Sequence, residues 1–262
     1  MSRQLTRRCS GRGETWAAFL GDPSAPLSLV VRRLIMLIRS TIAYALAVFS
    51  LCGCTGEFPT DAPKIQAAEE AYDRELLIQS LNEIEAWHLK NETSVASVLG
   101  AGRSLLSIVA EFAGIDCRPT EELKVLWSWR DGGIGAVPFV WYHDFLPLQE
   151  ALSEYKWLLL NPLVQWDPRY IPIFSFEGEW YAAYCGKGVN TAGPIVHFFL
   201  EDEPRITHTN LTSFLASMAE ALRSGAVWWE NDAMVDDIRK VHFIHQKYNR
   251  GYSFPYFVPD GT

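Results

Sequence analysis

EFAGIDCRPTEELKVLWSWRDGG, residues 111–133, sets the architecture expected of the rest of the chain. Pro119 falls where the first turn of a helix tolerates a missing N–H, and Glu121 and Glu122 follow at the positive end of the helix dipole. Leu123, Leu126 and Trp127 recur at the i, i+3, i+4 spacing that gathers them on one face. Asp131-Gly132-Gly133 then offers a left-handed exit. The expectation is a short helix begun at Pro119, stopped by glycine, with one face in a core.

Outward from this stretch, Ala67–Lys90 reads as a charged amphipathic helix with Tyr72, Leu76, Leu77, Leu81, Ile84 and Trp87 near helical spacing. Val95–Phe112 reads as a second helix, with Gly100 and Gly102 weakening its start. Downstream, Val137–Tyr142 is a short strand and Leu148–Leu160 a helix. Tyr170–Phe176 and Glu179–Cys185 form a hairpin about Gly178. Ile195–Leu200 and Arg205–Thr209 are further strands, Glu201-Asp202-Glu203-Pro204 is the turn between them, and Leu211–Leu222 is a closing helix. Val227–Thr262 carries Trp228 and Trp229, a helical stretch Met234–Gln246 and an aromatic tail, read as a helix and an extended arm packed on the sheet or its edge.

An acid, a glycine and a proline ahead of a short amphipathic helix that ends in Asp-Gly resemble the opening of the SMI1/KNR4 (SUKH) family. The resemblance continues in order through Ile171-Pro172-Ile173, the Gly-centred hairpin, Gly193-Pro194-Ile195-Val196 and Leu211–Leu222, over roughly residues 95–225. Glu177-Gly178 stands where the family's hairpin carries Asp-Gly, and Asp131-Gly132 where its helix exit carries Asn-Gly. The resemblance implies an α+β fold, a mixed or antiparallel sheet with helices packed on it, to which a C-terminal helical and aromatic extension is added here. It also implies a non-enzymatic protein-binding module, many bacterial members of the family being immunity proteins that neutralise toxins.

The chain has 262 residues, 48% hydrophobic and 21% charged, with ten Trp among an aromatic content of 13%, which is enough for one substantial core. The net charge of -8 is uneven. Residues 1–53 hold seven Arg against two acids (+5), leaving 16 basic and 29 acidic residues (-13) from Cys54 onward. Such a field repels nucleic acid and favours solubility or a basic partner.

Residues 1–35 are Arg-rich and aperiodic, as a disordered leader or an upstream false start would be. From Met36 the text becomes MLIRSTIAYALAVFSLCGC, with Arg39, an apolar run from Ile42 to Leu51, and Leu51-Cys52-Gly53-Cys54. This resembles a bacterial lipoprotein signal over 36–53, with Cys54 lipidated and a linker over 54–64. The apolar run is too short to span a bilayer but suits a signal peptide. Thr55, in place of Asp, favours the periplasmic face of the outer membrane. The domain proper is then expected over 65–226, with 227–262 as the extension.

Few chemical signatures are present. The Gly-x-Ser-x-Gly elbow is absent, Gly186-Lys187-Gly188 lacks the phosphate-loop frame, and no dinucleotide fingerprint occurs. His242 and His245, with Asp236 and Asp237 upstream, lack the i, i+4 spacing and third ligand of a zinc site. Asp167, Glu177 and Glu179 read as solvated hairpin charges. Cys117 and Cys185 are either a disulfide, in an oxidising compartment, or two separate buried thiols. No metal or other cofactor and no catalytic residue is expected.

The function expected from sequence is a membrane-tethered binding module, an immunity protein facing a basic toxin in the cell envelope. Trp228, Trp229, Glu201, Asp202 and Glu203 are the candidate partner-binding residues. The alternatives are an envelope scaffold holding a housekeeping partner, or an envelope hydrolase.

Overall fold

The computed structural model describes residues 72–133, 138–162, 164–186, 192–200, 202–231, 233–252 and 254–256. The chain divides into two units, Met1–Cys54 and Thr55–Thr262, and the described residues all belong to the second. The expected leader, the signal peptide, Cys54 and the linker lie outside them. The helices are α1 (Arg74–Lys90), α2 (Val95–Val98), α3 (Leu105–Phe112), α4 (Glu121–Trp129), α5 (Leu148–Leu160), α6 (Leu211–Arg223) and α7 (Ile238–Tyr248). The strands are β1 (Asp144–Phe145), β2 (Tyr170–Phe176), β3 (Glu179–Tyr184), β4 (Ile195–Phe199), β5 (Arg205–His208), β6 (Val227–Glu230) and β7 (Ala233–Asp236). The fold is α+β: five antiparallel strands in the order β1-β2-β3-β4-β5, with β6 and β7 as a separate ribbon.

The expected central helix is α4. Its cap is Thr120, whose Oγ1 accepts from the Leu123 N–H at 3.3 Å. Pro119 therefore stands outside the cap rather than in the first turn, because a side-chain oxygen satisfies an orphan donor and proline cannot. Leu123, Leu126 and Trp127 are fully buried. The Trp127 ring packs on Phe112, and its Nε1 donates to the Leu146 carbonyl at 3.2 Å. The exit turns at Gly132, with φ +62°, where a Cβ would stand 2.5 Å from the Phe145 carbonyl oxygen. Glycine is required there for conformation and for space. Asp131 then accepts from the Leu148 N–H at 3.0 Å, capping α5, whose own cap residue is Pro147.

The single helix expected over Val95–Phe112 is broken into α2 and α3. Between them Ala101 bridges to Arg130, and a Cβ on Gly102 would lie 1.9 Å from the Ser128 carbonyl oxygen. Backbone lies directly on backbone there, which a continued helix could not allow. Arg103 holds the crossing through ion pairs to Glu111 and Asp131. Glu122, buried on the other side of α4, accepts from the Leu211 and Thr212 N–H groups at 3.3 and 2.8 Å and from the Thr212 hydroxyl at 2.6 Å. It thus completes the N-terminus of α6 begun by the Asn210 cap. Burial pushes its carboxyl up to about 7 against the pull of these donors.

The hairpin turns through Glu177 (φ +40°) and Gly178 (φ +94°), two successive positive values that match a type I′ turn. On one face of the sheet Phe174 and Tyr181 meet Phe214 of α6, with ring centroids 5.4 and 4.8 Å apart. On the other, Trp180 and Phe198 pack against Trp166. Helix α6 packs on the sheet and against helices α1 and α7, and α7 also reaches β5 directly through His245.

Two further expectations are corrected. The strand placed at Val137–Tyr142 is, in its described part, a turn in which the His143 N–H returns to the Val140 carbonyl at 2.8 Å and Trp141 takes φ +49°. The strand follows it, as β1. Met234 lies in β7 rather than a helix: Trp229 pairs with Met234 and Glu230 with Ala233 across a two-residue connection, which Asn231 enters at φ +53°. Helix α7 begins only where Asp237 caps it by accepting from the Lys240 N–H.

Candidate functional site

Residues paired across an antiparallel sheet share a face, and residues two apart on one strand do so as well. Tyr181 pairs with Phe174 on one side and with His197 on the other, and Glu179 pairs with Phe176 and Phe199. Glu179, Tyr181 and His197 therefore emerge together. His143 precedes β1 by one residue, and its ring lies 4.8 Å from that of Tyr181. Residues far apart in sequence are thus drawn to one patch of the sheet.

Within that patch His143 Nε2 is 3.5 Å, and His197 Nε2 2.5 Å, from the same oxygen, Oε1 of Glu179. The ligand-type atoms of the three residues all lie within 4.8 Å of one another. The Tyr256 hydroxyl, arriving from the C-terminal arm, donates to Glu179 Oε1 at 3.4 Å and stands 3.0 Å from the Tyr181 hydroxyl. His143 is fully buried, and neither ring nitrogen has a hydrogen-bond partner among the described residues. Burial holds its pKa down at about 3, against the pull of Glu179, so the imidazole is neutral. Burial also pushes the Glu179 carboxyl up, but the His197 hydrogen bond, the fields of the imidazoles and the Tyr256 hydroxyl outweigh it. The group stays below the ordinary carboxylate range.

A second tier stands behind. His208 Nδ1 is 2.8 Å from the Thr207 hydroxyl, and its ring is edge-on to His245, which donates from Nε2 to the Thr207 carbonyl at 2.7 Å. Burial, then the neighbouring His245 and His197, hold the His208 pKa well below the ordinary imidazole value. The cavity lined by Trp141, Tyr181, His208 and His245 measures about 10 Å³. That is room for one water and none for an organic substrate.

This cluster corrects the reading of Glu179 as a solvated hairpin charge. Glu177 is exposed, and Asp167 is paired with Arg169, but Glu179 points inward. The signal was available in the strand alternation of EWYAAY, where Glu179 shares a phase with Tyr181, and in His197 at the third position of β4. His242 and His245 do not converge: His242 faces Gln246, whereas His245 turns to Thr207.

The other expected residues are dispersed. Cys117 and Cys185 are joined, with Cα atoms 5.4 Å apart. Trp228 is exposed on the ribbon and donates from Nε1 to Glu230 at 3.2 Å, whereas Trp229 packs partly against the core. Asp202 and Glu203 are exposed at the β4–β5 turn, Asp202 in an ion pair with Arg205. Glu201 lies outside the described residues.

A surface feature unsuspected from the sequence borders that turn. Tyr142 and Phe176 lie ring to ring at 6.1 Å, and the Leu200 N–H donates to the Gly178 carbonyl at the hairpin tip. All three are exposed, at 48%, 40% and 49%. Phe176 ends β2 and Leu200 follows β4, so they lie at the same end of the sheet as Glu177, Asp202 and Glu203, Asp202 there being paired with Arg205.

No protein-family model matches the chain, and no curated protein matches it. What the fold and geometry define is an α+β domain with a largely buried His-Glu-His cluster on one sheet face and exposed apolar side chains at one sheet end.

Proposed function

We propose that the chain is a SUKH-type protein-binding module, tethered to the cell envelope through Cys54, that captures a basic protein and serves as an immunity protein against a toxin. The observation that carries this reading is the exposed triplet Tyr142, Phe176 and Leu200, with Glu177, Asp202 and Glu203 at the same end of the sheet. Clustered aromatic and aliphatic side chains exclude water at the centre of an interface, and charged groups around them select and steer the partner. The net charge of -13 beyond residue 53 gives that steering one sign. The α+β class and the succession of the capped helix α4, helix α5, the β2–β3 hairpin, β4, β5 and the closing helix α6 are compatible with the family resemblance. The small volume of the cavity beside the buried cluster speaks for a partner held at the surface rather than a substrate held within.

Two features support the envelope. The Cys117–Cys185 bridge suits an oxidising compartment, and Leu51-Cys52-Gly53-Cys54 has the form of a lipidation site. Among the described residues no helix is long and apolar enough to cross a membrane. Cys54→Ala is expected to move the protein from the membrane fraction to the soluble fraction, as read by fractionation and immunoblot. Retention of the variant in membranes would refute the tether.

The binding reading is tested by affinity capture from native envelopes. A basic protein recovered by the wild type and lost at high salt supports it. Capture that is indifferent to salt and to charge reversal of Glu177 and Glu203 contradicts it.

A further inference from the structure

We propose that His143, His197 and Glu179 form a binding site for one divalent first-row transition-metal ion of the zinc type. Two imidazoles and a carboxylate are the ligand set of many three-coordinate protein sites for such ions, the remaining position being taken by water. The inference stands apart from the identity of the protein's partner, since it concerns an interior face of the sheet.

The geometry fits. Around a tetrahedral ion with bonds of about 2.0–2.1 Å, ligand atoms stand roughly 3.4 Å apart. His143 Nε2 and Glu179 Oε1 are 3.5 Å apart already. The closer His197–Glu179 contact is the hydrogen bond expected between a carboxylate and an imidazole that share a site. To reach the spacing of a tetrahedral ion that contact opens by about 1 Å and the two imidazole nitrogens come to about 3.4 Å from one another, from positions where all three ligand atoms lie within 4.8 Å, by small rotations of Glu179 and of the imidazole rings.

His143 gives the second, independent indication. It is wholly buried and aimed at the carboxylate, yet neither nitrogen is hydrogen-bonded among the described residues. A buried polar group without a partner costs about 1–3 kcal/mol, and such groups in a native fold call for an explanation, an ion among them. Coordination through Nε2 would engage the nitrogen that faces Glu179. His208 faces the Thr207 hydroxyl through Nδ1 and His245 the Thr207 carbonyl through Nε2, and neither belongs to the group of three ligand atoms.

Glu179 also has an outer hydrogen-bond partner. The Tyr256 hydroxyl reaches Glu179 and the Tyr181 hydroxyl, so the carboxylate is oriented by a donor from the C-terminal arm. Outer hydrogen bonds of this kind fix ligand orientation and tune affinity. An ion here would clip together the turn before β1, the β3–β4 pair and, through Tyr256, the arm. With so little open volume beside it, its role is to hold the structure together, and the resulting coupling between metal binding and stability is what the experiment reads.

The test uses the full oxidised chain, stripped with chelator and titrated with Zn²⁺ by calorimetry, with Co²⁺ absorption as a reporter of coordination. One equivalent of Zn²⁺ per chain is expected, with a rise in Tm on loading and a tetrahedral Co²⁺ spectrum. Glu179→Gln and His197→Gln, the latter at the less buried ligand, are each expected to weaken binding about 100-fold while the near-ultraviolet circular dichroism of the metal-free protein is unchanged. Tyr256→Phe should weaken binding about tenfold. Fe²⁺ titrated anaerobically with an octahedral signature in place of the Zn²⁺ response identifies the other ion of the same class. Absence of stoichiometric binding by any of these ions, or binding that persists in both ligand variants and so belongs to other groups, overturns the proposal.

Discussion

Trp127→Asp is expected to leave no cooperatively folded protein at 25 °C. The side chain has no exposed surface, its ring rests on Phe112, and its Nε1 satisfies the Leu146 carbonyl. Removing a buried Trp costs about 3–5 kcal/mol through lost burial and the cavity left behind. The new carboxylate adds the cost of desolvating an unpaired charge, and the Leu146 carbonyl loses its donor. The total reaches the scale of a domain's whole stability, about 5–15 kcal/mol. Urea denaturation followed by Trp fluorescence and near-ultraviolet circular dichroism checks it. Trp127→Phe, which keeps the ring contact and loses only the N–H and some volume, should fold with a loss of about 1–2 kcal/mol. A Trp127→Asp protein with the wild-type urea midpoint would remove α4 from the centre of the fold.

Loss of the Cys117–Cys185 bridge is expected to lower stability by about 4 kcal/mol. The two residues are 68 apart in sequence, and closing a loop of that length removes roughly this much chain entropy from the unfolded state. The bridge ties the segment ahead of α4 to the end of β3, where the Arg118 N–H also donates to the Cys185 carbonyl at 2.9 Å. The paired Cys117→Ala and Cys185→Ala variant should fold, because both sites are buried and alanine leaves the backbone bonds intact. Its Tm should fall by about 10–15 °C, at the roughly 2–4 °C per kcal/mol expected for a domain of this size. The same fall should follow reduction of the wild type. A Tm unmoved by either would mean that the bridge constrains nothing the fold needs.

Both effects arise in the stretch from Glu111 to Gly133, which is also where the sequence was most legible. Leu123, Leu126 and Trp127 at helical spacing, and the glycine exit, depend on local chemistry that a single turn or a single residue decides. The Gly178 hairpin and the closing helix α6 were legible for the same reason. Where the sequence misled, a contact from elsewhere overrode the local pattern. The periodicity from Val95 to Phe112 is helical, but the backbone of Ser128 lies on Gly102 and breaks it. Met234 suits a helix, but pairing with Trp229 draws it into a strand.

The two candidate sites were hidden for a different reason. His143, Glu179 and His197 meet only because β1, β2, β3 and β4 pair side by side, in a register that sets Tyr181 between Phe174 and His197. No spacing motif reports such a meeting. The inward phase of Glu179 was the one local clue, masked by its place beside a hairpin turn. Tyr142, Phe176 and Leu200 were likewise unreadable as a patch, since each is an ordinary apolar residue until a turn, a strand end and the edge of a second turn bring them together. Trp228 and Trp229, more conspicuous in the sequence, divide between solvent and core.

The affinity of the captured basic partner for the wild type and for a Phe176→Asp, Leu200→Asp double variant, measured side by side, bears most directly on the claim that this domain acts by binding at this exposed sheet end. Phe176 and Leu200 are exposed at 40% and 49%, so the variant should stay folded, with its Tm read alongside because Phe176 also packs on His143 and pairs with Glu179. Its Kd should rise by about 100-fold or more, the loss expected when two central anchors of an interface are replaced by charge. An unchanged Kd in a folded double variant would show that the partner is held elsewhere, and the proposed binding face would be wrong.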